Sequence, residues 1–161
     1  MIGALHDELR VIEAACYDAR KADGVFDAVD CALQRVAGHR LLTILVYNEA
    51  FTVATRLYSS DSATYPSGVS DPVASNEWAD LVLRHGLPYV GHREADLASV
   101  FGHHERLAFL GLGSVINMPI RWRGRVLGTL NMLDGQGRYA QLDIDVVKII
   151  AHMTLPALLA G

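Results

Sequence analysis

Residues 113–134, GSVINMPIRWRGRVLGTLNMLD, decide how the rest of this chain is read. Residues 115–122 and 126–133 are rich in β-branched and large apolar side chains, the signature of strands. Between them lie Arg123 and Gly124, a two-residue connection of the commonest hairpin length. Gly124 supplies the positive φ that such a turn demands. With that turn, Trp122 faces Arg125, Ile120 faces Leu127, Met118 faces Thr129 and Ile116 faces Asn131. Asn117 and Asn131 then fall on opposite faces of the hairpin. Both faces are largely apolar, so the hairpin is expected to be covered on both sides near its open end. Pro119 donates no backbone hydrogen bond, which points to a bulge or an unpaired stretch there that would change this register.

The remaining 139 positions fit around that hairpin as one domain, expected to span 1–161, with a substantial core. Hydrophobic residues make up 51% of the chain, and no apolar run is long enough to cross a bilayer. The N-terminus has no basic-then-apolar leader, so the expected location is cytoplasmic. A net charge of −4 with scattered basic residues argues against nucleic acid as a partner. Arg121, Arg123 and Arg125 form the one local basic group, read as a solvated hairpin tip. Cys16 and Cys31 have no metal-ligand spacing and offer no disulfide framework.

Before the hairpin, residues 5–20 predict a helix with Leu5, Leu9, Ile12 and Cys16 on one stripe. Asp23 is placed to cap a second helix over 25–37, whose stripe is Phe26, Val29, Leu33 and Val36. Residues 41–47 (LLTILVY) and 51–58 (FTVATRLY) read as a first hairpin. Residues 59–75 are polar and broken by Pro66, Gly68 and Pro72, the composition of a functional or mobile loop. Asn76, or Ser75, caps a helix reaching His85, and Gly86 and Pro88 end it. A short strand follows over 88–91, then short helices over 93–101 and 103–110. After the central hairpin, a last helix over 141–159 carries Leu142, Val146, Ile149, Ile150 and Met153 on its stripe, with Pro156 expected to kink or fray it. Two helices, a hairpin, a middle of short helices, a second hairpin and a closing helix imply an α+β fold with an antiparallel sheet.

At this level of detail the chain resembles a GAF domain. The resemblance is carried by the pattern V-x-x-x-P-I…G-x-x-x-G-x-L-N-x-L across Val115, Pro119, Ile120, Gly124, Gly128, Leu130, Asn131 and Leu133. Tyr139 and the helix starting QLDIDVVKIIAHM complete it, with Ala140 where a small polar cap is usual. The resemblance implies a PAS-like central antiparallel sheet of five to six strands. The N- and C-terminal helices would lie on one face, and short helices and loops over about 65–110 would form a pocket on the other. It also implies dimerisation through the first and last helices. The chain shows no attached kinase, cyclase or DNA-binding segment, so it reads as a domain that stands alone.

The expected function is that of a sensory or regulatory module holding a small molecule non-covalently, with neither the ligand nor any cofactor identified by the sequence. Aromatic residues concentrate where the pocket would be, as ligand cavities require. The candidate contacts are Tyr47, Tyr58, Tyr65, Trp78, His85, Tyr89, His92, Phe101, Asn117 and Asn131, with Arg93 and Glu94 as further polar groups. Two branches of the family carry signature residues that this chain lacks. The Asn-Lys…Phe…Asp-Glu signature of cyclic-nucleotide binders is absent, since Asn48 precedes Glu49 and no later Phe-x-x-x-Asp-Glu occurs. Free methionine sulfoxide reductases need a thiolate beside the sulfoxide, and no cysteine follows Arg40. The same fact argues against a covalently attached bilin. An enzyme resting on His85, His92 or Glu94, and an interaction module with a collapsed pocket, are the rival readings. The seven histidines form no recognisable ligand motif: His103 and His104 are adjacent and so diverge on a helix, unlike a chelating i, i+4 pair.

Overall fold

The computed structural model describes residues 2–18 and 20–161, which divide into two compact units: 2–18 and 20–38 with 143–161, and 39–142. The first unit is helical. Helix α1 spans Ile2–Asp18 and α2 spans Ala22–Val36. Helices α6, Ile144–His152, and α7, Leu155–Ala160, pack with them. Ile12, Phe26, Val29, Leu33, Val147, Ile150 and Ala151 are among its buried side chains. Arg35 pairs with Glu8 at 2.8 Å, and the Cys16 thiol meets the Met153 carbonyl at 3.7 Å.

Several helix ends differ from expectation. Lys21, not Asp23, is the N-cap of α2, and Asp23 lies in the first turn, where its charge favours the helix dipole. The closing helix is interrupted at Met153 and Thr154, in line with the kink expected near Pro156, and Pro156 itself sits in the first turn of α7, where it needs no donor. The cap missing at Ala140 is supplied by Asp143, whose carboxylate accepts from the Asp145 N–H at 3.0 Å. That start turns α6 so that Val147, Ile150 and Ala151 are buried while Ile149 is 51% exposed.

The second unit is an antiparallel sheet with short helices. Strand β1 is Leu41–Tyr47, β2 Val53–Ser59, β3 Ser70–Pro72, β4 Tyr89–Gly91, β5 Ser114–Trp122 and β6 Arg125–Asp134. Their order across the sheet is β3-β2-β1-β6-β5-β4. The long polar loop thus contains an edge strand, β3, which pairs with β2. Helix α3, Glu77–Ala79, continues as a π turn over Asp80–Arg84; α4 is Glu94–Ala98 and α5 is His104–Phe109.

The β5–β6 hairpin corrects the expected register. Arg123 and Gly124 both have positive φ, 48° and 80°, the type I′ geometry whose twist matches the strands. Trp122 opposes Arg125 and Arg121 opposes Val126, but Ile120 opposes Gly128, leaving Leu127 as a bulge residue. One extra residue reverses the alternation of everything beyond it. Asn117 therefore opposes Asn131, and both side chains share a face. Pro119 is not the bulge: it lies beyond the last β4 pair, where β5 has only β6 as a neighbour and a missing donor is tolerated. Gly128 is obligatory, because a Cβ there would meet the Leu45 carbonyl oxygen inside van der Waals contact. One face of the sheet carries the buried Leu42, Ile44, Ile116, Met118, Ile120, Leu130 and Met132. The other carries Thr43, Leu45, Asn117, Thr129 and Asn131.

Candidate functional site

That second face, through Thr43, Leu45, Asn117 and Asn131, forms the floor of an inner chamber of about 130 Å³, and this chamber adjoins a larger, solvent-connected cavity of about 550 Å³ that Leu45 also lines. Its walls come from the segment between β2 and α3 and from residues 100–107. Asn76 places one wall by accepting the Ala79 N–H at 2.9 Å, so Trp78 projects from the first turn of α3. Phe101 stacks edge-on against Trp78, with ring centroids 6.1 Å apart.

A directed chain of hydrogen bonds runs across the floor. The Trp78 indole N–H donates to the Asn117 carbonyl oxygen at 2.9 Å. An indole N–H can only donate, so it orients the Asn117 amide. Asn117 Nδ2 then donates to Asn131 Oδ1 at 2.8 Å, and Asn131 Nδ2 to Thr43 Oγ1 at 3.3 Å. Tyr47 and Thr129 share a further hydroxyl bond of 2.9 Å. Burial of that phenol pushes the Tyr47 pKa up to about 12, partly offset by the Thr129 bond. Asn117, Asn131, Thr43 and Thr129 are all buried, so this relay satisfies groups that would otherwise be costly.

The structure brings Tyr47, Tyr65, Trp78, Phe101, Asn117 and Asn131 together around the inner chamber. The other four candidates lie elsewhere. Leu57 is a bulge residue between Arg56 and Tyr58, so Tyr58 opposes Ile44 on the face away from the cavity. Tyr89 pairs with Asn117, but its hydroxyl donates to the Asp96 carbonyl at 2.7 Å and its ring packs beside the Leu97 cluster. His85 is exposed, its Nδ1 2.8 Å from the Asp80 carbonyl that ends the π turn. His92 is exposed and contributes backbone: its N–H reaches the Asp96 carboxylate at 2.9 Å, and its carbonyl accepts from Gly137 at 2.8 Å. The N–H groups of His92 and Arg93 hold the Asp96 carboxyl below the usual range, the former most strongly. Among the described residues no group of three or more His, Cys, Asp or Glu could hold a metal ion.

Arg56, Arg106 and His103 also line the cavity and are not among the candidate contacts read from the sequence. Two signals pointed to them. Arg56 is the one charge in the apolar strand β2, on the same face as Ala54. His103, Arg106 and Leu107 share a helical stripe by their spacing. Desolvation first, then the charges of Arg106 and Arg56, lower the His103 pKa, against an opposing pull from Asp71. Asp71 also lines the cavity, and no hydrogen bond or ion pair joins it to His103.

The family model described as the GAF domain matches residues 14–155. The chain belongs to the GAF domain family. Among solved structures, the phycoerythrobilin-bound GAF domain from a cyanobacterial phytochrome superposes with a TM-score of 0.75 at 13% identity, over 99% of this chain and 97% of that one. The GAF domain from the Coxiella burnetii phosphoenolpyruvate-protein phosphotransferase gives 0.74 at 14% identity, covering 97% and 92%. Its Acinetobacter counterpart gives 0.72 at 16% identity, covering 96% and 92%. At such identities these likenesses show the GAF fold alone. Curated protein sequences give no significant match. No helix among the described residues is long and apolar enough to cross a membrane.

Proposed function

We propose that this GAF domain, acting as one unit over 1–161, is a sensory or regulatory module that binds a small molecule non-covalently in the cavity on the β1–β2–β5–β6 face. The observation that carries this reading is the cavity itself. About 550 Å³ of space is walled by Trp78, Phe101 and Tyr65, and in the adjoining chamber of about 130 Å³ Asn117 and Asn131 are already fixed by hydrogen bonds. A preformed, aromatic-lined concavity of that size suits a small ligand, and GAF domains typically bind one. Non-covalent holding is supported by the lining, in which no residue is a cysteine. The relay assigns Asn117 and Asn131 to holding the Trp78 wall, leaving ligand contact to the aromatic faces and to groups nearer the mouth.

Comparing native with denaturing mass spectra of the purified protein tests this. A mass released on unfolding is expected, as is quenching or shift of tryptophan fluorescence on adding it back, abolished by Trp78→Ala. A protein that carries no ligand and shows no cavity response to a metabolite panel would refute the reading. We also propose a homodimer through the first and last helices, supported by the exposed apolar side chains Ile2, Val11 and Ile149 on them. Sedimentation at micromolar concentration is expected to give twice the monomer mass.

A further inference from the structure

We propose that the outer part of the cavity is an oxyanion subsite, in which Arg56, Arg106 and the Tyr65 hydroxyl hold the carboxylate or phosphate of a ligand whose apolar body fills the inner chamber. The proposal rests on the reading of this cavity as a ligand site and adds the ligand's chemical class. Tyr65 is 8% exposed, and its hydroxyl is buried without a hydrogen-bond partner. A buried phenol left unpaired is costly, and in a cavity wall the missing partner is expected from the ligand. The Arg56 Nε is a second buried, unpartnered donor at the same place. Both guanidinium groups lie over the Tyr65 ring, 5.4 Å and 4.9 Å from its centroid for Arg56 and Arg106. Each spends a donor on a carbonyl of the same loop: Arg56 Nη1 on Pro66 at 2.8 Å, and Arg106 Nη2 on Thr64 at 3.1 Å. Neither forms an ion pair with a carboxylate among the described residues. Two cations are thus held against one ring with planar donors to spare, and such donors recognise carboxylate and phosphate oxygens.

The charge count agrees. Arg56 and Arg106 outweigh Asp71 on the lining. The inner chamber is lined by Leu41, Leu107, Val115 and Leu133 with Trp78 and Phe101, so it takes an apolar group about the size of a phenyl ring or a branched alkyl chain. The two parts share Arg56 and Tyr65, so one molecule reaches both.

The test is an ¹⁵N–¹H NMR titration of the full chain with benzoate, phenyl phosphate and the uncharged benzyl alcohol, reading the Trp78 indole signal. Wild type is expected to bind one or both anions about tenfold or more tightly than benzyl alcohol, with that preference shrinking as salt is raised. Which anion binds tighter separates a carboxylate from a phosphate ligand. Arg106→Gln is expected to erase the preference while leaving the benzyl alcohol affinity unchanged, and Arg106→Lys to restore part of it. Tyr65→Phe is expected to weaken the anions alone. Equal binding of all three probes would overturn the subsite and leave the cavity reading standing. An equal loss of benzyl alcohol in Arg106→Gln would reduce the arginine to a loop strut and also overturn it. No response of any cavity signal to any probe would overturn both readings.

Discussion

Replacing Asn117 with alanine removes the middle of the relay that ties the Trp78 wall to the sheet. Two groups lose their partner: the Trp78 indole N–H, 2.9 Å away, and Asn131 Oδ1, 2.8 Å away. Asn131 is 6% exposed and Asn117 itself 3%, so water reaches the gap poorly. Each buried group left unpaired costs about 1–3 kcal/mol. Trp78 is half-buried and recovers part of its share from solvent. The sum is about 2–4 kcal/mol. With a urea m-value of roughly 2 kcal/mol/M for a chain of this size, the unfolding midpoint falls by about 1–2 M. Trp78→Phe alone should cost about 1 kcal/mol for the same bond. Once Asn117 is gone, removing the indole N–H breaks nothing further, so the double-mutant cycle should show a coupling of about 1 kcal/mol. A midpoint loss under about 0.3 M in Asn117→Ala with an unchanged slope, or strictly additive energies in the cycle, would refute the relay as the support of the wall.

Gly128→Ala forces a methyl group onto the Leu45 carbonyl in the centre of the sheet, and neither backbone can retreat without opening a ladder. A loss of about 2–3 kcal/mol follows, or roughly 5–10 °C in the thermal midpoint; a shift under about 2 °C would refute it. Arg123→Asn should raise stability by about 0.5–1 kcal/mol, because asparagine suits the left-handed φ of 48° better and Asn-Gly is the preferred type I′ pair. An unchanged or lower urea midpoint would count against that. Tyr47 and Tyr139 both have pKa values raised by burial, to about 12 for Tyr47, so the unfolded chain ionises first. Their contribution is complete below pH 10 and is lost as pH rises toward 12, by at most about 3 kcal/mol for Tyr47. Tyr47→Phe should flatten that alkaline decline in urea midpoints measured between pH 9 and 11; an unaltered slope would refute the assignment.

Most of the architecture was legible in residue order. Strand β1 has the bounds read from LLTILVY, and the Arg123–Gly124 turn announces itself through its length and its glycine. The pattern around Gly124, Gly128 and Leu130–Leu133 placed the chain in its family because the turn and the close approach of Gly128 to β1 leave few residue choices. These are local constraints, set by backbone geometry within a few residues. The four candidates that lie away from the cavity do so for non-local reasons. Tyr58 turns away because of a bulge at Leu57, and His85 and His92 satisfy backbone groups at turns whose closure depends on the neighbouring helix.

The site was decided by tertiary structure. Hydrophobic alternation put Asn117 and Asn131 on opposite faces, and a single bulge at Leu127 put them side by side, because a period of two reverses with every inserted residue. Arg56 and Arg106 stand 50 residues apart in the chain and meet only over the ring of Tyr65. Sequence alone determined five of the six strands, the Arg123–Gly124 turn and the family, since those follow from what each short segment can do by itself, whereas the edge strand β3 forms only by pairing with β2. Which polar groups face one another across the cavity, and which of them stay unpaired, depends on register and on loops closing over the sheet, and only the folded chain specifies that.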